Sequence, residues 1–335
     1  MTQDVRLEQL RDWVHTLTGW QSATLEPASA DASFRRYFRA SQSGRTAIVM
    51  DAPPEKENSA PFIDVTSRLI DAEVAAPNIF AQNLIDGLIL LEDLGNTPLL
   101  NKLSPETADF YYQLAMQELL KLQLASSHSL PVYTDKLLRQ EMELMPEWFL
   151  GTHLQFAPDD LPGELITQTF DSLAAAVLEQ PVTFVHRDYH SRNLMITPDD
   201  TLGVIDYQDA VLGPATYDLV SLLRDCYVVW PEQRIINWVK SFHKRAIAAG
   251  NIPPVDERSF LRWFDLTGLQ RHIKVLGIFC RLNHRDGKHN YLNDLPLTLS
   301  YVLKVGARHP ETSQLVEWMR SVGIPERIGT VAIAA

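Results

Sequence analysis

The sequence predicts an α+β protein of two lobes, a small β-sheet lobe at residues 1–95 and a larger, mainly helical lobe at residues 96–335. Two observations support this prediction. The first third of the chain is rich in short β-branched and aromatic runs separated by Gly, Pro, Asn and Asp, a pattern typical of strands. After Gly95 the apolar residues instead recur at helical spacing. A chain of 335 residues is long enough to bury a core in each lobe.

The first lobe is predicted to contain a sheet with one helix packed on it. The predicted strands are residues 32–40, 46–53, 78–84 and 87–94. Between the second and third strands, Phe62, Val65 and Leu69 follow a helical rather than an alternating period. A helix over residues 61–75 would therefore cover one face of the sheet.

Helices dominate the rest of the chain. The clearest apolar stripe lies in residues 105–124, where Tyr111, Leu114 and Leu119 share one face. Residues 182–206 are the exception. Three short runs there are predicted to be strands: 182–186, 193–196 and 201–206. The helices after residue 217 are expected to break at Pro231, Pro253, Pro254, Pro296 and Pro310.

Composition and charge narrow the class of protein. The net charge of −12 disfavours nonspecific nucleic-acid binding, because phosphates are neutralised by Lys and Arg. No run approaches the roughly 18 apolar residues of a membrane span, and the N-terminus lacks the apolar stretch of a signal peptide. The two cysteines, Cys226 and Cys280, form no CxxC motif. We therefore expect a cytoplasmic protein with no membrane or nucleic-acid partner.

A candidate catalytic motif lies at residues 186–206, which read HRDYHSRNLMITPDDTLGVID. His186 to Asn193 match HRDxxxxN, and Asp206 follows after a predicted hairpin. Phosphoryl transfer needs a carboxylate that orients and deprotonates the attacking hydroxyl, together with oxygen ligands for magnesium. The spacing predicts that Asp188 is the base and that Asn193 and Asp206 hold Mg²⁺.

The three residues also have a purely structural interpretation. Asp188 and Asn193 could only cap turns, and Asp206 could simply end a strand. Asn and Asp are nevertheless the oxygen ligands that magnesium prefers, and nitrogen or sulfur ligands are not needed. Three such residues at matching separations favour the catalytic interpretation.

These residues also carry a family resemblance. The runs FVHRDYHSRNLM and VIDYQDAVLGPATYDL resemble the aminoglycoside phosphotransferase and choline kinase superfamily. Protein kinases would instead carry a DFG triplet around Asp206 and an APE motif after it. The resemblance implies a protein-kinase-like fold that uses ATP and Mg²⁺. For the run LILLEDLG, the resemblance implies that the backbone of Glu92, Asp93 and Leu94 binds adenine. The alternative is that this run is only a buried strand that ends in a turn.

A narrower resemblance concerns the substrate. The runs SADASFRRYFR, VMDAPPE and LQRHIKVLGIFCRLNHRDGK resemble bacterial anomeric sugar kinases acting on N-acetylmuramate and N-acetylglucosamine in peptidoglycan recycling. This implies an amino sugar substrate phosphorylated on its C1 hydroxyl, which is more acidic than an ordinary alcohol. The alternatives are another small-alcohol or aminoglycoside phosphotransferase, and a nucleotide-binding pseudokinase. The intact Asp188, Asn193 and Asp206 argue against the pseudokinase.

The sequence departs from the kinase pattern in the first lobe. Where kinases place a phosphate-binding Lys on the third strand, this chain has Met50, and it also lacks a GxGxxG loop. Ser33 and nearby backbone N–H groups are expected to cover the phosphates instead. Arg35 or Arg36 would supply the missing positive charge. The alternative is that both arginines are ordinary exposed residues.

Candidate substrate residues follow Asp206. Gln208 and Asp209 are two and three residues further on, so we expect their side chains near the transferred phosphate. Asp209 is a candidate for binding sugar hydroxyls, although Asp is equally common as a turn residue. Asp218 precedes an apolar helical stripe and is predicted to be a helix N-cap rather than a catalytic residue.

A second group of candidates lies in the segment 262–289, which is locally basic in an acidic protein. The lactyl carboxylate of N-acetylmuramate would be attracted to such a cluster, whereas a cationic aminoglycoside would not. The residues expected to face the sugar are Gln270, Arg271, His272 and Lys274. The alternative is a solvated helix face.

Overall fold

The computed structural model describes residues 4–30 and 34–334. These residues combine a small antiparallel sheet with a large helical region, which confirms the predicted fold class. No helix in the described ranges is both long and apolar enough to cross a membrane.

The chain divides into two compact units. Unit one comprises Met1–Lys102 with Asn193–Asp209, and unit two comprises Leu103–Arg192 with Ala210–Ala335. The segment after Asn193 therefore packs with the N-terminal part of the chain rather than with the residues that flank it in sequence.

Unit one is built on a five-stranded antiparallel sheet. Its strands, in the spatial order β1-β2-β3-β5-β4, are β1 (Thr24–Ala30), β2 (Arg36–Gln42), β3 (Arg45–Asp51), β5 (Leu88–Glu92) and β4 (Ile79–Asn83). The helices of this unit are α1 (Val5–Thr16) and α2 (Ala60–Asp71). Leu10 and Val14 of α1 pack on Phe38 and Val49 of the sheet, and these four side chains are buried. Their burial stabilises this small core by the hydrophobic effect.

A second, three-stranded sheet explains why the segment after Asn193 belongs to unit one. Its strands are β6 (Thr97–Pro98), β8 (Leu194–Ile196) and β9 (Leu202–Val204). The backbone N–H of Val204 also donates to the Ala75 carbonyl at 2.8 Å. A Cβ on Gly203 would lie 2.6 Å from Leu94 Cδ1, so a larger residue here would require the Leu94 side chain to shift.

Unit two is mainly helical. Its helices are α3 (Ala108–Leu124), α4 (Asp135–Met142), a π-type helix (Met145–His153), α5 (Gly163–Leu178), α6 (Tyr217–Leu223), α7 (Glu232–Ala248), α8 (Glu257–His284), α9 (Leu295–Gly306), α10 (Ser313–Ser321) and α11 (Ile324–Ile328). An antiparallel pair, β7 (Val182–Val185) and β10 (Val211–Pro214), completes it. The predicted proline breaks agree with the starts of α7, α8 and α9 and with the gap before α10.

The long helix α8 forms the centre of unit two. Most of its length after Phe264 is buried, including polar residues. Gly277 allows the π-type helix segment to approach, because a Cβ there would lie 2.2 Å from the Leu144 carbonyl carbon. The charged side chains of Arg271 and Lys274 therefore lie in the interior of the unit, where they need polar partners.

Candidate active site

The loop that carries the candidate base begins where β7 ends. His186 and Tyr189 are buried, and the Tyr189 hydroxyl donates to the Ala115 carbonyl at 2.9 Å. Asp188, between them, remains partly exposed. The buried side chains of His186 and Tyr189 thus fix the loop on either side of Asp188.

Arg187 has a positive φ of 77°, an uncommon conformation for a residue with a side chain. The carboxylate of Asp218 holds this turn: it accepts from the His186 N–H at 2.7 Å and from the Arg187 N–H at 3.0 Å. The predicted N-cap role of Asp218 is wrong, because α6 begins at Tyr217 with Thr216 as its N-cap. Burial raises the pKa of Asp218 to about 7, against the opposing effect of the two N–H donors.

A second carboxylate fixes the far end of the loop. Asp225 accepts hydrogen bonds from both the backbone N–H of Ser191, at 2.9 Å, and the Ser191 hydroxyl. Its other oxygen accepts from the Tyr227 N–H at 3.2 Å. Sequence analysis missed this residue, since nothing in the sequence pairs positions 34 residues apart.

The guanidinium of Arg187 contacts a buried charge network. Glu141 accepts from Arg187 Nη2 at 2.6 Å, from Lys274 Nζ at 3.0 Å and from the Tyr133 hydroxyl. Lys274 also donates to the Tyr217 hydroxyl at 3.2 Å. Burial would raise the pKa of Glu141, but the charges of Lys274 and Arg187 outweigh it and lower the pKa. Glu141 is therefore an anion shared by two cations.

Asp188 is ionised at neutral pH. Burial would raise its pKa, but the positive charges of Lys274, His190 and Arg271 outweigh that effect and hold the pKa below the usual value. An ionised, partly exposed carboxylate can orient a hydroxyl group and accept its proton.

Asn193 and Asp206 lie side by side in unit one. Asn193 Nδ2 donates to Asp206 Oδ2 at 3.1 Å, and Gln208 Nε2 donates to Asp206 Oδ1 at 2.9 Å. Asp206 has a positive φ of 66°, and such strain is often found at functional sites. The Gln208 Oε1 atom is buried without a hydrogen-bond partner among the described residues. A carboxylate with two side-chain amides beside it is a set of groups that fits a magnesium ion.

Tyr207 anchors the segment that follows Asp206. Its hydroxyl lies 2.8 Å from Thr66 Oγ1, and its ring stacks on Phe62 at 5.2 Å. Both partners belong to α2, so this helix supports the candidate metal site.

The predicted phosphate-binding residues have mixed outcomes. Ser33 lies outside the described residues. Arg35 is paired with Glu57 at 3.3 Å. Met50 is buried within β3, where it contributes apolar contact and no charge.

Arg36 has a structural role. Its guanidinium contacts Asp51 at 2.6 Å and Asp4 at 2.5 Å, and Asp51 is also bound by Arg6 at 2.7 Å. Its charge is thus already neutralised by two carboxylates. We therefore do not retain Arg36 as the replacement for the missing Lys.

The expected adenine-binding segment begins at the end of β5. The Glu92 carboxylate accepts from Asn78 Nδ2 at 2.6 Å. Asp93 accepts from Arg39 Nε at 2.6 Å and Nη2 at 3.0 Å, and Arg39 also donates to the Gly95 carbonyl. Sequence analysis did not identify Arg39, which fixes the segment from the neighbouring strand.

Leu94 follows Glu92 and Asp93, whose side chains are held by hydrogen bonds. Its side chain covers Gly203. Within residues 4–30 and 34–334, its backbone N–H and C=O make no hydrogen bond. Unbonded backbone groups at this position fit the edge of an adenine ring, which carries both donors and acceptors.

The predicted sugar-binding residues on α8 are all buried, so the solvated-face alternative is wrong for them. Gln270 Nε2 donates to Glu141 at 3.4 Å, while its Oε1 is buried without a partner among the described residues. Lys274 shares the same carboxylate. Arg271 contacts the Cys226 sulfur at 3.7 Å.

His272 has structural partners. Its Nε2 lies 2.9 Å from the Arg224 carbonyl, and its ring stacks on Tyr301 at 4.8 Å. Burial lowers the pKa of His272 to about 3, so the ring is neutral. Asp209, by contrast, is exposed and forms no hydrogen bond within the described ranges.

Comparison with known proteins identifies the class. Residues 24–257 match the sequence model that defines the Phosphotransferase enzyme family, and the chain belongs to this family. It is 42% identical to the N-acetylmuramate/N-acetylglucosamine kinase of Pseudomonas aeruginosa, over 96% of this chain and 98% of that protein. It is 40% identical to the kinase of the same name from Neisseria meningitidis, over 92% of this chain and 93% of the relative.

Solved structures show the same fold at low sequence identity. A choline/ethanolamine kinase family protein from Mesorhizobium loti superimposes with a TM-score of 0.63 at 13% identity, covering 94% of this chain and 99% of that one. The aminoglycoside phosphotransferase APH(2'')-Ib with ADP bound gives a TM-score of 0.58 at 14% identity, covering 89% and 97%. These comparisons confirm the family resemblance and the protein-kinase-like fold predicted from sequence.

Proposed function

We propose that this protein is an ATP- and Mg²⁺-dependent kinase that phosphorylates the C1 hydroxyl of N-acetylmuramate and N-acetylglucosamine in the cytoplasm. One observation carries the proposal: relatives 40–42% identical over more than nine tenths of both chains are named N-acetylmuramate/N-acetylglucosamine kinase. Asp188, Asn193 and Asp206 support it, because they are the groups that phosphoryl transfer requires.

Asp188 acts as the base in this proposal. Its ionised carboxylate accepts a hydrogen bond from the C1 hydroxyl and then takes the proton as the C1 oxygen attacks the γ-phosphorus of ATP. The bond from that phosphorus to the ADP oxygen breaks, and ADP leaves. A carboxylate with a lowered pKa is a weak base, and it suits an anomeric hydroxyl because that group is more acidic than other sugar alcohols. Asp218 and Asp225 hold the loop on either side and so limit the positions that Asp188 can take.

Asn193 and Asp206 would hold magnesium. When bound, the ion neutralises the charge of the triphosphate. Gln208 keeps one Asp206 oxygen fixed through its 2.9 Å hydrogen bond. In this proposal, residues 1–95 form the lobe that binds the nucleotide, and residues 96–335 form the lobe that binds the substrate and carries out catalysis.

Nucleotide contacts are assigned by the same proposal. The backbone of Glu92, Asp93 and Leu94 would bind adenine. Ser33 and Arg35 would contact the phosphates, with Arg35 exchanging its Glu57 partner for a phosphate oxygen. A bidentate guanidinium can replace part of the electrostatic role of the absent strand lysine.

An ADP-release assay tests the proposal with five acceptors: N-acetylmuramate, N-acetylglucosamine, choline, homoserine and kanamycin. We expect turnover with the two amino sugars, and phosphorus NMR of the product should show a sugar 1-phosphate. Turnover with only choline, homoserine or kanamycin would assign the protein to another branch of the family. ATP binding without any turnover would favour a pseudokinase, and a 6-phosphate product would reject attack by C1.

A further inference from the structure

Arg271 is a buried cation that has no ion-pair partner among the described residues. Its residue surface is 4% exposed, and its Nη1 contacts the Cys226 sulfur at 3.7 Å. In the part of the chain that the structure describes, its guanidinium forms no ion pair with a carboxylate. Burying a cation carries a desolvation cost of several kcal/mol that a thiol contact does not offset.

Other buried cations of unit two differ in this respect. Arg224 contacts Glu232 at 2.9 Å and Asp265 at 2.7 Å, and Lys274 contacts Glu141 at 3.0 Å. Burial would lower the pKa of Arg271, but the surrounding groups raise it, so the side chain remains charged. The carboxylates of Asp188 and Asp225 act on this charge, but within the described residues neither forms an ion pair with the guanidinium, which leaves it available to a bound anion.

The surroundings of Arg271 connect it to the candidate base. Cys226 directly follows Asp225, whose carboxylate holds Ser191 three residues after Asp188. The Nε and Nη2 atoms of Arg271 make no hydrogen bond to the described residues, so both remain available to a bound ligand.

We propose that Arg271 binds the lactyl carboxylate of N-acetylmuramate and so determines how well this sugar is used relative to N-acetylglucosamine. The inference rests on the proposed function and extends it to a specificity-determining residue. A planar guanidinium matches a carboxylate through two parallel hydrogen bonds. The lactyl ether is on C3, two ring carbons from C1, so its carboxylate lies about one sugar ring away from the base that acts on C1.

Two alternatives are a different anion as the ligand of Arg271 and a different cation as the partner of the lactyl carboxylate. The transferred phosphoryl group is also an anion, but it is present with both sugars, whereas the carboxylate is present only with N-acetylmuramate. Arg192 is a second cation near the loop. It is exposed, stacks over Tyr227 at 3.5 Å and has Asp294 at 3.9 Å, so part of its charge is already balanced.

The test measures kcat/KM for N-acetylmuramate, its uncharged methyl ester and N-acetylglucosamine. For the unaltered protein we expect the ester to be used roughly 10- to 100-fold less well than the acid, the usual range for losing a hydrogen bond to a charged group. Arg271→Met should reduce kcat/KM for the acid by the same factor relative to the ester and N-acetylglucosamine, whose values report any loss that all three substrates share through Asp188. Arg271→Lys should give an intermediate loss, because it keeps the charge without the planar fork.

The matched control is Arg285→Met, which removes an exposed cation at the end of the same helix. It should leave all three values unchanged. Equal losses with all three substrates in Arg271→Met would overturn the inference and assign Arg271 to the phosphoryl group or to folding. A selective loss in Arg192→Met but not in Arg271→Met would overturn it as well.

The comparison of acid and ester needs no variant, so it stands even if Arg271→Met does not fold. Equal use of acid and ester by the unaltered protein would contradict carboxylate binding. Absence of turnover with both natural sugars would overturn the proposed function, and the inference with it. Turnover of both sugars without discrimination of the ester would overturn the inference alone.

Discussion

Glu141→Gln tests the buried charge network beneath the catalytic loop. The substitution keeps the shape of the side chain and removes its charge. Arg187 Nη2 and Lys274 Nζ, at 2.6 and 3.0 Å from the carboxylate, would then face a neutral amide. Removing one partner of a buried ion pair costs about 3–5 kcal/mol, because the remaining charges stay buried without compensation. We expect the free energy of unfolding to fall by that amount at pH 7.

The pH dependence of this difference has a definite sign. The pKa of Glu141 lies below its ordinary value of 4.5 in the folded protein. The carboxylate therefore contributes its full stabilisation above the unfolded pKa and loses it as the pH falls through the folded pKa. The difference between the two proteins should be largest near neutral pH and should shrink under acidic conditions.

Urea unfolding at pH 7, and at the lowest pH at which both proteins fold, measures both effects. Glu143→Gln is the control, since Glu143 is exposed at the end of the same helix and forms no ion pair among the described residues. We expect it to change stability by less than about 0.5 kcal/mol. Adding Lys274→Met to Glu141→Gln should recover part of the loss, because it removes one uncompensated cation. If Glu141→Gln lowers the free energy of unfolding no more than the control does, the Glu141 carboxylate does not stabilise the two buried cations.

Three further predictions concern other contacts. Asp206→Asn should raise the Mg²⁺ concentration needed for half-maximal turnover by about tenfold or more, because it replaces an anionic ligand by a neutral one. Magnesium titration measures this concentration, and an unchanged value would remove Asp206 from the metal site. Asp225→Asn should lower kcat about tenfold, because the Ser191 contacts that hold the loop are weakened. Calorimetry should show unchanged ADP affinity, and an equal loss of ADP affinity would indicate general misfolding. Arg39→Met should lower the free energy of unfolding by about 1–3 kcal/mol in denaturant titrations, since it removes two hydrogen bonds to the Asp93 carboxylate. An unchanged free energy of unfolding would mean that this pair does not stabilise the protein.

Much of the fold followed from periodicity. The predicted strands of the first lobe and the three short runs at residues 182–206 are present, with ends shifted by a few residues. Helix α1 was missed because it buries only Leu10 and Val14, which leaves a weak apolar stripe. Strand β1 was missed because TLEPASA lacks β-branched residues after Thr24 and contains a proline.

The candidate site was only partly accessible from the sequence. The spacing of Asp188, Asn193 and Asp206 identified the chemistry, because a local motif encodes it. The supporting carboxylates Asp218 and Asp225 could not be assigned, since their partners lie more than 30 residues away in the chain. The charges of α8 were equally ambiguous. A basic helix segment has the same sequence whether it faces water or, as observed, a buried network.

Asp188→Asn tests whether Asp188 is the base of a sugar kinase. The acceptor of choice is N-acetylglucosamine, which has no carboxylate and so separates this test from the role proposed for Arg271. General base catalysis contributes about 10²- to 10⁴-fold, so kcat in the ADP-release assay should fall within that range while calorimetry shows unchanged binding of Mg·ADP. Turnover at the rate of the unaltered protein would show that Asp188 is not the base.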